Sequence, residues 1–520
     1  MLDILIKQGL VVDGTGRSKF KGDIGIQAGK IIQVGSITSS AKEVIDAQGL
    51  IVAPGFIDIH SHGELAILVD SRASSKVYQG ITTEVVGNCG SSLAPVYKHV
   101  LSEVENELDD YNLALSWYDM EGYLNQLSQQ GIGVNIASLV GHGLLRKGVI
   151  GYAKRKAKAC ELKKMKQLLE QALKEGAYGL STGLVYPPSS YASMKELIEL
   201  AKIVADYNGL YTSHLRDEGD CLLEAVKEAI TIGQQAGVRV QISHHKAIGR
   251  NNWGKVKKSL ALLEEARAEG IDISCDLYPY LAISTGLSSL LPDWVFGGSK
   301  DEVIIKIKKY QKEIITYLNQ ERAKKDGWDK IMIAEAKNYK EWEGLTIAKI
   351  AKRKGKVPAQ VAVDLLIAEK LDVAMIRFSL AEDDLIQVLQ AKFSMIGTDA
   401  TSRVKDTILA DNHCHPRTYG TFPRVINKYV KGGVLSLEEA IKKMTYLAAK
   451  KLGLNRGQLA PDLYADVVIF DLKKIKDKAN YQYPHQYAQG IKYVIINGEL
   501  VIKEGRQVSN NSGRVLKNKL

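Results

Sequence analysis

The stretch PGFIDIHSH, residues 54–62, runs an apolar segment directly into two histidines one residue apart. If the segment is extended, His60 and His62 share one side of it, because alternate residues of a strand point the same way. Two imidazoles presented together suit a metal, although a pair of polar loop residues has the same spelling. Other rare residues recur in the same setting: Cys89 after TTEVVGN, His142 after VNIASLVG, His214 after GLYTS, His244 and His245 after VRVQIS, and Asp399 after FSMIGT. Imidazole, thiolate and carboxylate donors together can hold zinc, and a coordination position left to water makes such a site catalytic. Packing alone does not explain the repetition at successive strand ends. The remaining candidates read differently. Cys160, Cys221 and Cys275 are expected to be buried small apolar residues, while His413, Cys414 and His415 in DNHCHPR fit a metal or a loop equally. His245 would face away from His244 in a continuing strand. Asp58 reads as buried support and Glu218, in RDEG, as a helix-start residue.

For these side chains to converge, the segments that carry them must lie side by side. Strand-like runs fall at residues 55–60, 82–88, 133–140, 177–182, 209–214, 238–243, 271–276 and 394–398. Amphipathic patterns such as ELKKMKQLLEQALKEG separate several of them, with apolar residues at three- and four-residue spacing. Eight strands alternating with helices fit an α/β fold of the (β/α)8 barrel type better than an open doubly wound sheet. A barrel also collects its chemistry at the C-terminal ends of its strands. Residues 285–350 exceed a normal crossover and read as a helical insertion late in the barrel, while DKIMIAEA and VAMIRFS are spelled like further strands. Short alternating runs broken by glycine occupy both chain ends, too few at either to stand alone, and imply one small β-sandwich built from both termini. The expected division is 1–52 for the N-terminal part of the sandwich, 53–455 for the barrel with its insertion, 456–506 for the C-terminal part, and 507–520 for a loose polar tail.

Length and composition set the outer bounds. At 520 residues the chain exceeds the size at which one core stops growing, and 45% apolar with 25% charged residues excludes wholesale disorder. Five cysteines spread thinly do not make a disulfide framework. The N-terminus MLDILIKQGLVVDGTG lacks the charged and apolar regions of a signal peptide or anchor, so the cytoplasm is expected. The formal charge of +11 is dispersed over helix faces such as VIIKIKKYQKEI, without an arginine-rich arm, and argues against a nucleic-acid partner.

The segments PGFIDIHSH, EVVGNCGSSLAP, GLSTGLVYPPSSYAS, YTSHLRDEG, QISHHKAIG, DLYPYLA, MIGTDA, HPRTYGTFPRV and LAPDLYADVVIFD follow one another in this order. Together they resemble, over nearly the whole chain, the D-aminoacylase and N-acyl-D-amino-acid deacylase family of the metal-dependent amidohydrolase superfamily. The resemblance implies a (β/α)8 barrel with a β-sandwich from both ends and a helical insertion. It implies that Cys89, His214 and His244 hold a tightly bound zinc ion, with His60 and His62 at a second, weaker position to which Cys89 and Asp399 contribute. It gives Asp399 the role of general base and acid, Arg417 that of holding the substrate carboxylate, and Lys246 and Tyr186 that of assisting. His142 is expected to support the ligands from behind.

The activity so implied is zinc-dependent hydrolysis of the linear amide of an N-acyl-D-amino acid, giving a D-amino acid and a carboxylate. A cyclic amidase of the hydantoinase or dihydroorotase type is the alternative within the superfamily, and a non-catalytic metal-binding scaffold is the alternative outside enzymes. The expected partner is the small-molecule substrate, with no nucleic acid, membrane or obligate protein partner.

Overall fold

The computed structural model describes residues 1–324 and 326–518. Its centre is a circuit of parallel strands. Phe56–Asp58 pairs with Ile81–Val86, which pairs with Asn135–Ser138. The chain continues into Val140–Gly141, and the ladder runs on through Gly179–Gly183, Leu210–His214, Arg239–Ile242, Ile273–Leu277 and Ser394–Ile396. Asp399 N donates to His60 O at 2.7 Å, and Ser61 bridges Ala400 in parallel, closing the eight strands into a barrel. Every residue of Ile81–Val86 and of Leu210–His214 is buried, as expected for strands covered on both faces.

Amphipathic helices form the outer layer. In Ala159–Lys174 the buried residues are Met165, Leu169, Ala172 and Leu173, one stripe of an α-helical surface. Ser193 caps Met194–Asp206 by accepting from Glu196 N, and Gly237 in the left-handed region ends Leu222–Ala236.

The two chain ends share one nine-stranded sheet. Leu2–Val11 pairs antiparallel with Phe20–Gln27, while Ile51–Pro54 pairs antiparallel with Val467–Phe470, which carries Ile491–Ile496 beyond it. Neither end has the strands to cover its own apolar face, and each completes the other.

Two regions differ from the sequence reading. The insertion is not purely helical and does not stop at residue 350. Its helices, among them Lys300–Lys309 and Pro358–Ala368, pack with a three-stranded antiparallel sheet of Ala282–Gly286, Val373–Phe378 and Ile331–Ala336. Val373–Phe378 is the central strand yet the last in the chain, so the unit cannot close before residue 378. It has its own core, with Val303, Ile307, Ile314, Ile333 and Leu365. Nor are residues 507–518 a loose tail. Val515–Leu516 adds in parallel to Asn135–Ser138, and Asn497 Nδ2 donates to Ser512 O at 2.8 Å. Backbone pairing needs no apolar side chains, so the polar spelling conceals it. Among the described residues, no helix is long and apolar enough to cross a membrane.

Candidate metal centre and substrate pocket

The chemistry-bearing residues gather where the strands end. His60 and His62 follow Phe56–Asp58, Cys89 follows Ile81–Val86, His214 is the last residue of its strand, and His244 and Asp399 lie just beyond theirs. Cys89, His244 and Asp399 have φ of +53°, +35° and +47°. Left-handed backbone at a non-glycine residue costs on the order of 1–3 kcal/mol and persists only where its surroundings fix it. Here Gly90 N donates to Ser181 Oγ, His244 N to Asp276 Oδ1 and Asp399 N to His60 O. Gly87 is required just before Cys89: with φ at +80°, a Cβ there would lie 2.3 Å from Leu139 O.

One donor atom from each of His60, His62, Cys89 and Asp399 lies within 4.8 Å of the others, and the same holds for Cys89, His214 and His244. Cys89 belongs to both sets, so its sulfur stands between two adjacent cation positions, 3.3 Å from His60 Nε2 and 3.5 Å from His244 Nε2. Burial opposes ionisation of Cys89, but the charges on His60 and His244 outweigh it and hold the thiol well below its ordinary range, as a thiolate. Burial likewise opposes protonation of His62, which the Asp399 hydrogen bond and Cys89 nevertheless raise to about 10. Asp276 and Cys89 raise His60 in the same way against its burial. Protons on imidazoles thus balance a thiolate and a carboxylate, and a divalent cation supplies the same balance while releasing them. His214 Nδ1 is buried without a hydrogen-bond partner, a lone pair suited to a metal. The donor set fits zinc.

Behind the ligands stand two carboxylates. Asp276 accepts from His60 Nδ1 at 3.1 Å, from His244 N and from Gln241 Nε2, both at 2.8 Å. Glu218 lies 3.0 Å from His244 Nδ1 and accepts from Lys246 Nζ at 2.6 Å. Such contacts fix tautomer and ring orientation, leaving each Nε2 for the metal. Neither role was read from the sequence. An aspartate inside the apolar strand Ile273–Leu277 is the signal that points to Asp276, while Glu218 is more than a helix-start residue. Lys246 approaches His244 Nδ1 at 2.7 Å. Once Nε2 ligates, Nδ1 carries the proton, cannot accept, and leaves an ammonium hydrogen of Lys246 for another acceptor.

Eight of the nine residues expected at the site line one cavity of about 610 Å³: His62, Cys89, Tyr186, His214, His244, Lys246, Asp399 and Arg417. The ninth, His60, lies beneath it and is wholly buried. Arg417 Nη1 is 2.7 Å from Asp399 Oδ2, yet Nη1 and Nε are buried without a hydrogen bond, because that contact is poorly aligned. Tyr278 holds the space between the cations, its ring centroid 4.6 Å from Arg417 Cζ and 5.8 Å from Lys246 Nζ. Tyr186 packs its ring 5.0 Å from that of His214 and shares a hydrogen bond with Thr285.

Other candidates lie outside the donor sets. His142 bonds Ser189 and Glu196 in the pocket wall, His245 bonds Ser259, and His413 and His415 meet the carbonyls of Tyr481 and Ala282. Asp58 is buried support, held by Lys76 at 2.8 Å and accepting from Thr398 N at 2.8 Å beneath Asp399. Cys275 is buried, but Cys160 and Cys221 are exposed at helix starts, where local polarity rather than packing decides.

Residues 43–273 and 295–501 each match a model described as amidohydrolase family. The chain is 34% identical over 517 residues to a D-aminoacylase of Alcaligenes xylosoxydans xylosoxydans, covering 99% of this chain and 97% of that protein. It is 35% identical to an N-acyl-D-glutamate deacylase of the same organism, covering 99% and 96%. A crystal structure of N-acyl-D-glutamate deacylase from Bordetella bronchiseptica, complexed with zinc and a phosphonate inhibitor, superposes with a TM-score of 0.85 at 33% identity, covering 99% of each chain. The chain belongs to the amidohydrolase superfamily and, within it, to the D-aminoacylase and N-acyl-D-amino-acid deacylase family.

Proposed function

We propose that the protein hydrolyses N-acyl-D-amino acids to a D-amino acid and a carboxylate. The observation that carries this reading is the placement of Asp399 between the donor cluster and Arg417, whose buried Nε has no hydrogen bond and whose Nη1 meets Asp399. Bound zinc supplies Lewis acidity toward the scissile carbonyl and lowers the pKa of a water. Asp399 takes the proton of the attacking water and returns it to the departing nitrogen, which could not leave as an unprotonated anion. Arg417 offers a planar pair of donors to the α-carboxylate, a match of fork to fork. Tyr278 and Lys246 flank that position, and Tyr186 bounds the pocket over His214. Selectivity for the D enantiomer is carried over from the relatives.

A cyclic amidase would use the same barrel and metal, but hydantoins and dihydropyrimidines lack the free α-carboxylate that a buried guanidinium with an unpaired Nε calls for. Amine release from paired N-acetyl-D- and N-acetyl-L-amino acids, with hydantoins alongside, tests the choice. Turnover of the D series is expected; ring opening without deacylation would overturn it. We place the activity in the cytoplasm, on the strength of cysteines that are all unpaired in the structure.

A further inference from the structure

We infer that the pocket selects N-acyl-D-amino acids with neutral, apolar side chains, and that Asp326 sets this preference by cancelling the charge of Arg377. The inference rests on the deacylase reading above and asks which member of that substrate class the site takes.

The insertion forms the wall opposite the metal donors. Its strands Ala282–Gly286 and Val373–Phe378 pair with Ile283 opposite Arg377 and Thr285 opposite Met375. Cross-strand partners and alternate residues share a face, so these four side chains point together into the cavity, where Ile248 and Leu290 adjoin them. Arg377 is the cation of that face, and it is committed. Its Nε and Nη2 donate to Asp326 Oδ2 at 2.9 and 2.5 Å, and the two side chains are 10% and 1% exposed.

Arg417 provides the contrast on the same page of the fold. It too has a carboxylate nearby, but its Nε and Nη1 lack hydrogen bonds, whereas Nε and Nη2 of Arg377 both end on Asp326. Among the described residues, the two lysines that line the cavity are also engaged. Lys147 pairs with Glu103 at 2.5 Å, and Lys246 belongs to the α-carboxylate end. Glu107 and Asp293 line the outer wall as well. A second carboxylate, on the side chain of a D-glutamate or D-aspartate substrate, would lose its water against a wall whose arginine is already neutralised by Asp326, and a buried charge without a compensating partner is costly. A D-leucine or D-methionine side chain has only apolar surface to bury there.

The test uses the zinc-loaded enzyme with N-acetyl-D-leucine, N-acetyl-D-methionine and N-acetyl-D-glutamate. Wild type is expected to favour leucine and methionine over glutamate by at least about 100-fold in kcat/KM. Asp326→Asn frees Arg377 and should raise the glutamate-to-leucine ratio at least about tenfold with zinc content unchanged, and adding Arg377→Met should reverse that gain. If Asp326→Asn does not fold, Met375→Arg, which adds an uncancelled cation to the same face, must raise the ratio instead. A wild type that prefers glutamate, or a ratio unmoved in the folded variant, overturns the inference while leaving deacylation in place. No turnover of any N-acetyl-D-amino acid removes the deacylase reading and this inference with it.

Discussion

Arg417 Nη1 stands 2.7 Å from Asp399 Oδ2, both side chains buried, so the group that would hold the substrate touches the group that would move its proton. Burial alone would push the Asp399 carboxyl up; Arg417, then His244 and His62, outweigh it and keep Asp399 ionised. A substrate carboxylate arriving at Arg417 competes for that guanidinium and leaves Asp399 more basic as the proton must be taken. Asp399→Asn keeps the shape and removes the base. Its kcat should fall about 10²- to 10⁴-fold, the usual contribution of a positioned acid–base group. Amine release by metal-replete protein measures it, and activity within a fewfold of wild type would exclude Asp399 from the role.

Arg417→Ala separates recognition from chemistry. Leaving a bound carboxylate without its buried partner costs about 2–5 kcal/mol, or roughly 30-fold to several thousandfold in kcat/KM at about 1.4 kcal/mol per decade. The loss should appear with an N-acyl-D-amino acid and be much smaller with its α-carboxamide. Equal acid-to-amide ratios in both proteins would place the carboxylate clamp elsewhere, with Lys246 next in line.

What the sequence made legible is what does not depend on distant partners. His60, His62, Cys89, His214, His244 and Asp399 stand out because each is a rare residue type immediately after an apolar run, and the barrel turns every such position toward one end. Asp276 and Glu218 stayed hidden because their roles exist only through His60 and His244, which folding alone brings near. Val373–Phe378 was legible as a strand but not as the centre of the insertion's sheet, since its partners lie some 40 and 90 residues back. The pairing of Val515–Leu516 with Asn135–Ser138 uses backbone groups that every residue carries, so no side-chain pattern announces it.

Zinc retention should depend on the two carboxylates behind the ligands as well as on the ligands. Cys89 enters both donor sets, so Cys89→Ala should lose bound zinc and activity together. Glu218→Gln keeps the volume but weakens the hold on His244, and a 10- to 100-fold loss of zinc affinity is expected. Chelator titration followed by metal analysis measures both. Unchanged zinc content in Cys89→Ala would remove the thiolate from the site.

Lys76 is wholly buried below the centre, 2.8 Å from Asp58 and 3.3 Å from Glu84, and it also donates to Ser61 Oγ, Thr398 Oγ1 and Ala400 O. Lys76→Met removes one cation and leaves two buried carboxylates facing each other, a change that costs about 3–5 kcal/mol. Urea unfolding should show a loss of that size in unfolding free energy, read as a lower midpoint at unchanged slope. Adding Asp58→Asn should recover part of it, because it removes one of the stranded charges.

Lys443 makes the opposite prediction, since among the described residues no carboxylate pairs directly with its charge and the pull of Glu439 does not offset its burial. It lies on the inner face of Leu437–Met444, 1% exposed, donating to Ala391 O and to Ser394 Oγ at 3.1 Å beside the last barrel strand. Burial pushes its ammonium down from 10.5 to about 8. Below pH 8 the lysine is protonated in both states and the folded protein bears the full burial cost. Between about 8 and 10.5 the unfolded chain binds the proton more tightly, so raising the pH stabilises the fold, and above that range the effect is complete. At about 1.4 kcal/mol per tenfold in proton affinity, the span is worth about 3 kcal/mol. Lys443→Met should therefore be more stable than wild type at pH 7.5, and its advantage should shrink by about 2–3 kcal/mol as both are taken to pH 10, where groups common to the two proteins cancel. Paired urea titrations read this directly, and a stability difference that does not change with pH would show that Lys443 keeps its ordinary proton affinity in the fold.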